Sequence, residues 1–406
     1  MTAPDPKTEI ARPPFRRRVF YIPGYDPIHP RRYRELYRKE GTDQARMSGY
    51  SLSLSPKKTK GTYGWHVTGP AGTQADIEVL IWSDIVRTSM EQGIAATYLQ
   101  LARTAAAYIL TGALFRLMRL RKGPMIAALY PIGMLLVQLA VACLIGWLVY
   151  LMGALVHPVV GLFLGLPMIW QVLKFFRRID NRLYAYYLMH DYAYTAQGFG
   201  ANPPQLEARM TMFREAIATA LTEDLDEVLV VGHSSGAHLA VSILADLIRS
   251  TDLARRPALG FLSLGQVVPM ISFLPNANRL RADLRYLSAR DELTWIDVTA
   301  PGDGCAFALC DPVAVTGVSP ENKRWPLVIS AAFTQTLSPE RWAELRWHFF
   351  RLHFQYLCAF DALSGGPGDY DYFQITAGPQ TLAARFAGRS PSKSRIETPR
   401  SGYRAL

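Results

Sequence analysis

The stretch Glu227–Ile248 reads EVLVVGHSSGAHLAVSILADLI, and its reading decides the fold. Val228 to Val231 are aliphatic without a break, as in a strand covered on both faces of a parallel sheet, and Ala237 to Ile248 carry apolar residues at helical spacing. Gly232-His233-Ser234-Ser235-Gly236 occupies the joint between them. A G-x-S-x-G joint of this kind bends the chain sharply, sets its serine in a strained backbone conformation and projects the hydroxyl from the sheet edge. The two glycines let neighbouring backbone pass close by. The three fixed residues alone recur by chance, as a tight turn that uses glycine for packing. A buried strand immediately before and a helix immediately after make Ser234 a candidate nucleophile.

Outward from this joint the chain alternates between strand and helix patterns. Arg18–Ile22, Tyr50–Leu54, Tyr63–Thr68 and Asp76–Ser83 read as strands before it, and Leu259–Leu264, Leu293–Val298 and Leu327–Ala331 as strands after it. Helical patterns cover Pro30–Lys39, Arg87–Arg121, Lys174–Tyr194, Pro204–Thr222, Asn278–Ala289 and Ser338–Phe360. The alternation predicts an α/β fold with a doubly wound, mostly parallel sheet. Residues 17–86 and 195–387 form one sheet domain on this reading, interrupted by a helical insert over 87–194. Residues 1–16 and 388–406, rich in Pro, Ser, Thr and charge, are expected to be disordered.

The insert carries the strongest compositional signal. From Gly123 to Leu173 there is no Asp, Glu, Lys or Arg, a length suited to two bilayer crossings. Met125–Tyr150 and Ala154–Leu173 would be the two membrane helices, joined by a turn at His157-Pro158. Arg116, Arg119, Arg121 and Lys122 precede them, Lys174, Arg177, Arg178 and Arg182 follow, and the turn has no cation. Cations flanking both ends place both flanks in the cytoplasm, so a multi-pass protein of the bacterial inner membrane with its sheet domain on the cytoplasmic side is expected.

Net charge is +11, from 44 Lys and Arg against 33 Asp and Glu. The excess concentrates beside the hairpin, in Arg16–Arg18, in Arg31–Lys39 and after Arg385. No helix-turn-helix, zinc or RNA-binding signature accompanies it, so membrane lipid is the expected partner and nucleic acid is not. Cys143, Cys305, Cys310 and Cys358 have neither a C-x-x-C spacing nor the density of a disulfide scaffold, and read as reduced thiols without a metal.

A serine hydroxyl needs a base to take its proton and an acid to orient that base. Where the nucleophile sits on a strand–turn–helix joint, the partners follow in the order acid, then histidine. Well beyond Ser234 stand His348 and His353; His353, in RLHFQY, is favoured, with the tyrosines of Gly368–Phe373 (GDYDYF) to pack against its ring. His238, on the elbow helix, is expected to point elsewhere. Asp303, in APGDG after the strand Leu293–Val298, is the leading acid, with Asp311 in CDPVAV as the alternative and Asp297 as a structural residue. An oxyanion needs two N–H donors. Ser235 supplies one on this reading and Tyr25, in VFYIPGYDP, the other.

With these residues in place the chain resembles the α/β-hydrolase superfamily and, more loosely, its bacterial membrane-associated lipase- and esterase-like members. The likeness covers about residues 17–86 and 195–385, and the elbow is its one specific motif. It implies Ser-His-Asp acyl transfer without metal or organic cofactor. The hairpin in mid-domain departs from the usual pattern. Because it is inserted after a sheet strand, it should leave from the sheet edge that carries Ser234 and turn the mouth toward the bilayer. The expected substrate is then a lipid or another hydrophobic ester. An anchored esterase for soluble substrates, an acyltransferase and a non-catalytic membrane scaffold are the alternatives.

Overall fold

The computed structural model of the chain describes residues 13–57, 59–252, 257–366 and 368–406. Runs of β-branched and aliphatic residues assemble one eight-stranded sheet from β1 (Arg16–Ile22), β2 (Ser53–Pro56), β3 (Gly64–Thr68), β4 (Gln74–Val79), β5 (Glu227–His233), β6 (Ala258–Leu264), β7 (Leu293–Thr299) and β8 (Leu327–Ser330), in the order β2-β3-β4-β1-β5-β6-β7-β8. From β4 to β8 all neighbours are parallel, and β2–β3–β4 are antiparallel. Side chains alternate across the pleat. Phe20 and Ile22 of β1 join Val228 and Val230 of β5 in one core, while Val19 and Tyr21 join Leu229 and Val231 in the core on the opposite face. Two covered faces account for the unbroken aliphatic run before Ser234. The α/β class and the mostly parallel sheet expected from the sequence are thus present.

Among the described residues ten α-helices precede β6: α1 (Arg31–Ser48), α2 (Ser83–Met90), α3 (Ile94–Leu110), α4 (Ala113–Leu117), α5 (Lys122–Ala154), α6 (Pro158–Arg178), α7 (Asp180–Leu183), α8 (Ala185–Ala196), α9 (Pro204–Ala220) and, after β5, α10 (Gly236–Ser250). The expected strand Asp76–Ser83 ends at Val79, and Ser83 begins α2. The helix expected over Arg87–Arg121 is three helices, broken at Gly93 and at Gly112, whose φ of +70° suits glycine. Ser338–Phe360 divides into Pro339–Leu345, Phe349–His353 and a 3-10 turn at Gln355–Leu357.

Among the described residues, two helices, α5 and α6, are long and apolar enough to cross a membrane. They lie against each other at glycines. A Cβ on Gly153 would stand 2.8 Å from Gly161 Cα, and one on Gly165 2.7 Å from the Gly146 carbonyl oxygen. Small residues facing each other let two helix backbones approach in this way. With 33 residues, α5 is longer than a bilayer requires. Along it, Leu135 and Ala142 meet Ile94 and Leu101 of α3 and Tyr186 and Met189 of α8.

Two expectations are corrected. Residues 388–406 are not disordered: Ile396 bridges to Cys310, the Ser392 N–H donates to the Val328 carbonyl at 2.9 Å, and buried Arg281 donates from Nε to the Ala405 carbonyl at 2.7 Å. Backbone groups of the tail satisfy an edge strand and a buried guanidinium, a service that composition does not reveal. Likewise Arg17 and Arg18 are not free surface cations. Arg17 is buried on Glu227 at 2.6 Å, and Arg18 bonds Glu78 at 2.7 Å and Glu223 at 2.6 Å. At the other end, residues 1–12 of the segment expected to be disordered lie outside the described residues, and Arg16 already belongs to β1.

Candidate active site

The parallel strands deliver their C-terminal ends to one edge, where an open α/β sheet places its ligand crevice. At the end of β5, Ser234 has φ +55°, a conformation that costs about 1–3 kcal/mol in a non-glycine residue and is held only by its surroundings. Its N–H donates to the Leu264 carbonyl at 2.9 Å, and its own carbonyl accepts from the Ala237 N–H at 3.1 Å. The glycines serve close approach. A Cβ on Gly236 would lie 2.1 Å from the Ile22 carbonyl oxygen, and one on Gly24 2.9 Å from Ser234 Cβ.

Gly24 belongs to the turn after β1, which is pinned from two sides, by Trp82 just before α2 and by Tyr187 of the insert. Trp82 donates from Nε1 to the Pro23 carbonyl at 2.9 Å, and the Tyr187 hydroxyl donates to the Tyr25 carbonyl at 2.6 Å. Tyr25 and Ser235 are both buried, yet neither backbone N–H donates to another described residue. One donor lies in the turn that touches Ser234 and the other is the next residue along the chain. Both N–H groups expected to bind an oxyanion are therefore unspent among the described residues.

Asp303 and His353 come together as the sequence order suggested. Nδ1 of His353 stands 2.7 Å from Asp303 Oδ2, and both residues are buried. Burial would raise the Asp303 carboxyl, but the His353 charge and hydrogen bonds from His353, the Cys305 N–H (2.9 Å) and the Tyr356 hydroxyl (3.0 Å) hold it below the ordinary carboxylate value. Tyr356 in turn accepts from the Ala300 N–H at 2.9 Å. His353 and Ser234 flank Gly265, the residue after Leu264: a Cβ there would lie 3.1 Å from His353 Cε1. Among the described residues Ser234 Oγ makes no hydrogen bond to the ring, and such contacts often tighten only when substrate is bound.

The other candidates separate. His348 is exposed and caps the Glu344 carbonyl at 2.8 Å. Asp311 caps the helix Pro312–Thr316 through the Val313 and Ala314 N–H groups and pairs with Lys323 at 2.6 Å, leaving no part for it beside His353. Asp297 is buried in β7, accepts from Ser263 Oγ at 2.5 Å, and is raised to about 8 by burial, so it is a neutral acid inside the sheet. His238 lines a pocket with Ser235, whose lining does not include Ser234. Nor do the tyrosines of GDYDYF meet the His353 ring: Tyr370 bonds the Tyr356 carbonyl at 2.6 Å, and Tyr372 packs on Tyr37. The ring instead meets Tyr356 edge-on and His233, at centroid distances of 6.4 and 4.9 Å. Sequence analysis assigned no role to Tyr356 or His233, although one lies three residues past His353 and the other immediately before Ser234.

The base of the hairpin abuts this edge. A Cβ on Gly123 would lie 3.2 Å from Cα of Gly304, the neighbour of Asp303, and Arg121 donates to the Ala308 carbonyl at 2.7 Å. Beyond α6, the rings of Tyr184 and Phe350 are 4.9 Å apart, which ties the insert to the helix carrying His353. One further grouping is present: ligand atoms of Asp303, Cys305 and His353 lie within 4.8 Å of one another, the span of a small metal site. Metal ligation requires a thiolate. Burial, with Asp303 and Asp191 nearby, pushes the Cys305 thiol well above its ordinary value. Compared with family models, curated proteins and solved structures, the chain matches none.

Proposed function

We propose that the chain is a membrane-anchored serine hydrolase of the α/β-hydrolase type that cleaves an ester, with a lipid or another hydrophobic ester as substrate. The observation that carries this reading is the strained Ser234, at φ +55°, on the same sheet edge as the buried Asp303–His353 pair at 2.7 Å. His353 Nε2 takes the Ser234 proton as Oγ attacks the ester carbonyl, and the Tyr25 and Ser235 N–H groups stabilise the oxyanion. The imidazolium returns that proton to the departing alkoxide. Water, deprotonated by the same ring, then releases the acid from the acyl-enzyme. Asp303 keeps the proton on Nδ1 and stabilises the imidazolium without taking the proton itself.

A substrate drawn from the bilayer is supported by the hairpin base against Gly304 and by Trp347 and Phe349, which are 70% and 51% exposed in the segment leading to His353. Aromatic side chains of this kind suit a membrane interface. Cations at both ends of the hairpin support a cytoplasmic sheet domain.

A fluorophosphonate probe on detergent-solubilised protein tests the reading. The expected result is labelling of wild type and none of Ser234→Ala; equal labelling of both would remove Ser234 as nucleophile.

A further inference from the structure

A pocket adjoins the two N–H donors. Tyr25 and Ser235 form one wall, and Asp191, Tyr194, Asn202 and His238 stand on the others. Its lining contains no Lys or Arg, in a chain whose net charge is +11. Asp191, on α8 of the insert, is half-buried, and its carboxylate makes no hydrogen bond or ion pair with a described residue. His238 is 9% exposed with no partner for Nδ1, and the Tyr194 hydroxyl is buried and equally unpartnered. Asn202 gives its amide hydrogen to Glu207 at 2.9 Å, which leaves its carbonyl oxygen to the pocket. The rings of Tyr25, Trp82 and Tyr194 adjoin one another, with centroids 5.6 to 6.2 Å apart.

An acyl chain here would strand the polar groups of Asp191, His238, Tyr194 and Asn202 away from water, at a cost of about 1–3 kcal/mol for each neutral one and more for a carboxylate. An anion would meet a carboxylate. Acceptors and aromatic faces, with no cation among them, fit a donor that carries positive charge. We propose, on the hydrolase reading above, that this pocket is a subsite for an ammonium group of the substrate, with Asp191 as its counter-ion. The group is carried either by the acyl portion, as in an aminoacyl ester, or by the alcohol, as in an amino-alcohol lipid headgroup. Burial raises Asp191 to about 7 against the opposing charge of His353; Tyr25, Tyr108, Tyr187, Tyr192, Tyr194 and Cys305 carry no positive charge, and His238 across the pocket is lowered to about 4 by burial and stays neutral over the tested range.

The test uses the full chain in detergent micelles, with p-nitrophenyl butyrate as neutral reporter and propylammonium chloride as probe. Propylammonium should inhibit competitively, at least tenfold more strongly than 1-propanol or propionate, and Asp191→Asn should abolish that difference. In wild type alone, inhibition should weaken as pH falls from 8 to 6, because the carboxyl takes up a proton; this arm does not depend on how the variant folds. A preference for the p-nitrophenyl ester of β-alanine over the butyrate would place the ammonium in the acyl group. A preference for lysophosphatidylethanolamine over lysophosphatidylglycerol would place it in the headgroup. A wild type that the fluorophosphonate labels but propylammonium does not inhibit overturns the subsite and leaves the hydrolase reading standing, as does a preference that survives Asp191→Asn. If wild type is not labelled, the hydrolase reading fails, and calorimetric binding of propylammonium to wild type and Asp191→Asn decides the subsite by itself.

Discussion

His233 Nε2 lies 3.0 Å from the carbonyl oxygen of His353, so the residue before Ser234 fixes the main chain that carries the proposed base. A carbonyl only accepts, so Nε2 holds the proton. Burial, with the His353 charge, pushes His233 down to about 3, and it stays neutral through any working pH. His233→Ala should lower kcat by about 10–100-fold through lost positioning, with KM little changed. His233→Gln, which keeps a donor, should recover part of it. Steady-state kinetics and the rate of fluorophosphonate labelling check this, and a glutamine variant no better than alanine would exclude the hydrogen bond as the cause.

Asp303 and Asp311 carry different work. Asp303→Asn removes the acceptor that keeps Nδ1 protonated and should cost kcat about 10⁴-fold. Asp311→Asn loses the ion pair to Lys323 and weakens the cap on Pro312–Thr316. It should lower the melting temperature by several degrees and leave kcat within about twofold. Kinetics and melting curves of the two variants together check the assignment; a collapse of kcat in Asp311→Asn with Asp303→Asn active would reverse it.

The neutral acid in β7 predicts a pH dependence of stability. Asp297 is raised to about 8 by burial, above its ordinary value of about 3.9 in an unfolded chain. Between these limits the native state binds the extra proton, so stability falls as pH rises, by up to about 1.4 kcal/mol per pH unit from this group. Asp297→Asn keeps an acceptor for Ser263 and removes the titration. Its melting temperature should exceed that of wild type at pH 8 and converge with it only as pH falls to about 4. Parallel curves across that range would show that Asp297 is not protonated in the native state.

What was legible in the sequence was what covalent proximity and composition encode. The elbow at Gly232–Gly236, the strand runs and the charge-free hairpin are local signals, and Asp303 and His353 could be chosen from the order of elements along the chain. Contacts between distant segments were not legible. The clamp of Tyr187 on Tyr25 spans the whole insert, and Tyr356 braces Asp303 from across the sheet edge. The tail misled for the same reason. Its polar composition signals solvation, while its backbone pairs with β8 and with Arg281. Arg17 and Arg18 read as surface charge because Glu227 and Glu223 come to them only through the pairing of β1 with β5.

The hairpin predicts a split between substrates. Its lower part is core, since Leu135, Ala142 and Leu173 pack with α3 and α8, so removing all of it would unfold the domain. Replacing only residues 145–168 with a short Gly/Ser linker spares those contacts and removes the outer part of the two apolar helices, the part proposed to enter a bilayer. Hydrolysis of soluble p-nitrophenyl butyrate by this variant should stay within about twofold of wild type, because Ser234, His353 and Asp303 keep their neighbours. Hydrolysis of the same acyl group presented in vesicles should drop at least tenfold through lost local concentration and orientation. An equal drop on both substrates would make the upper hairpin a folding element. Full activity on vesicles would mean that the anchor localises the protein without delivering substrate, and would favour a soluble ester as the natural one.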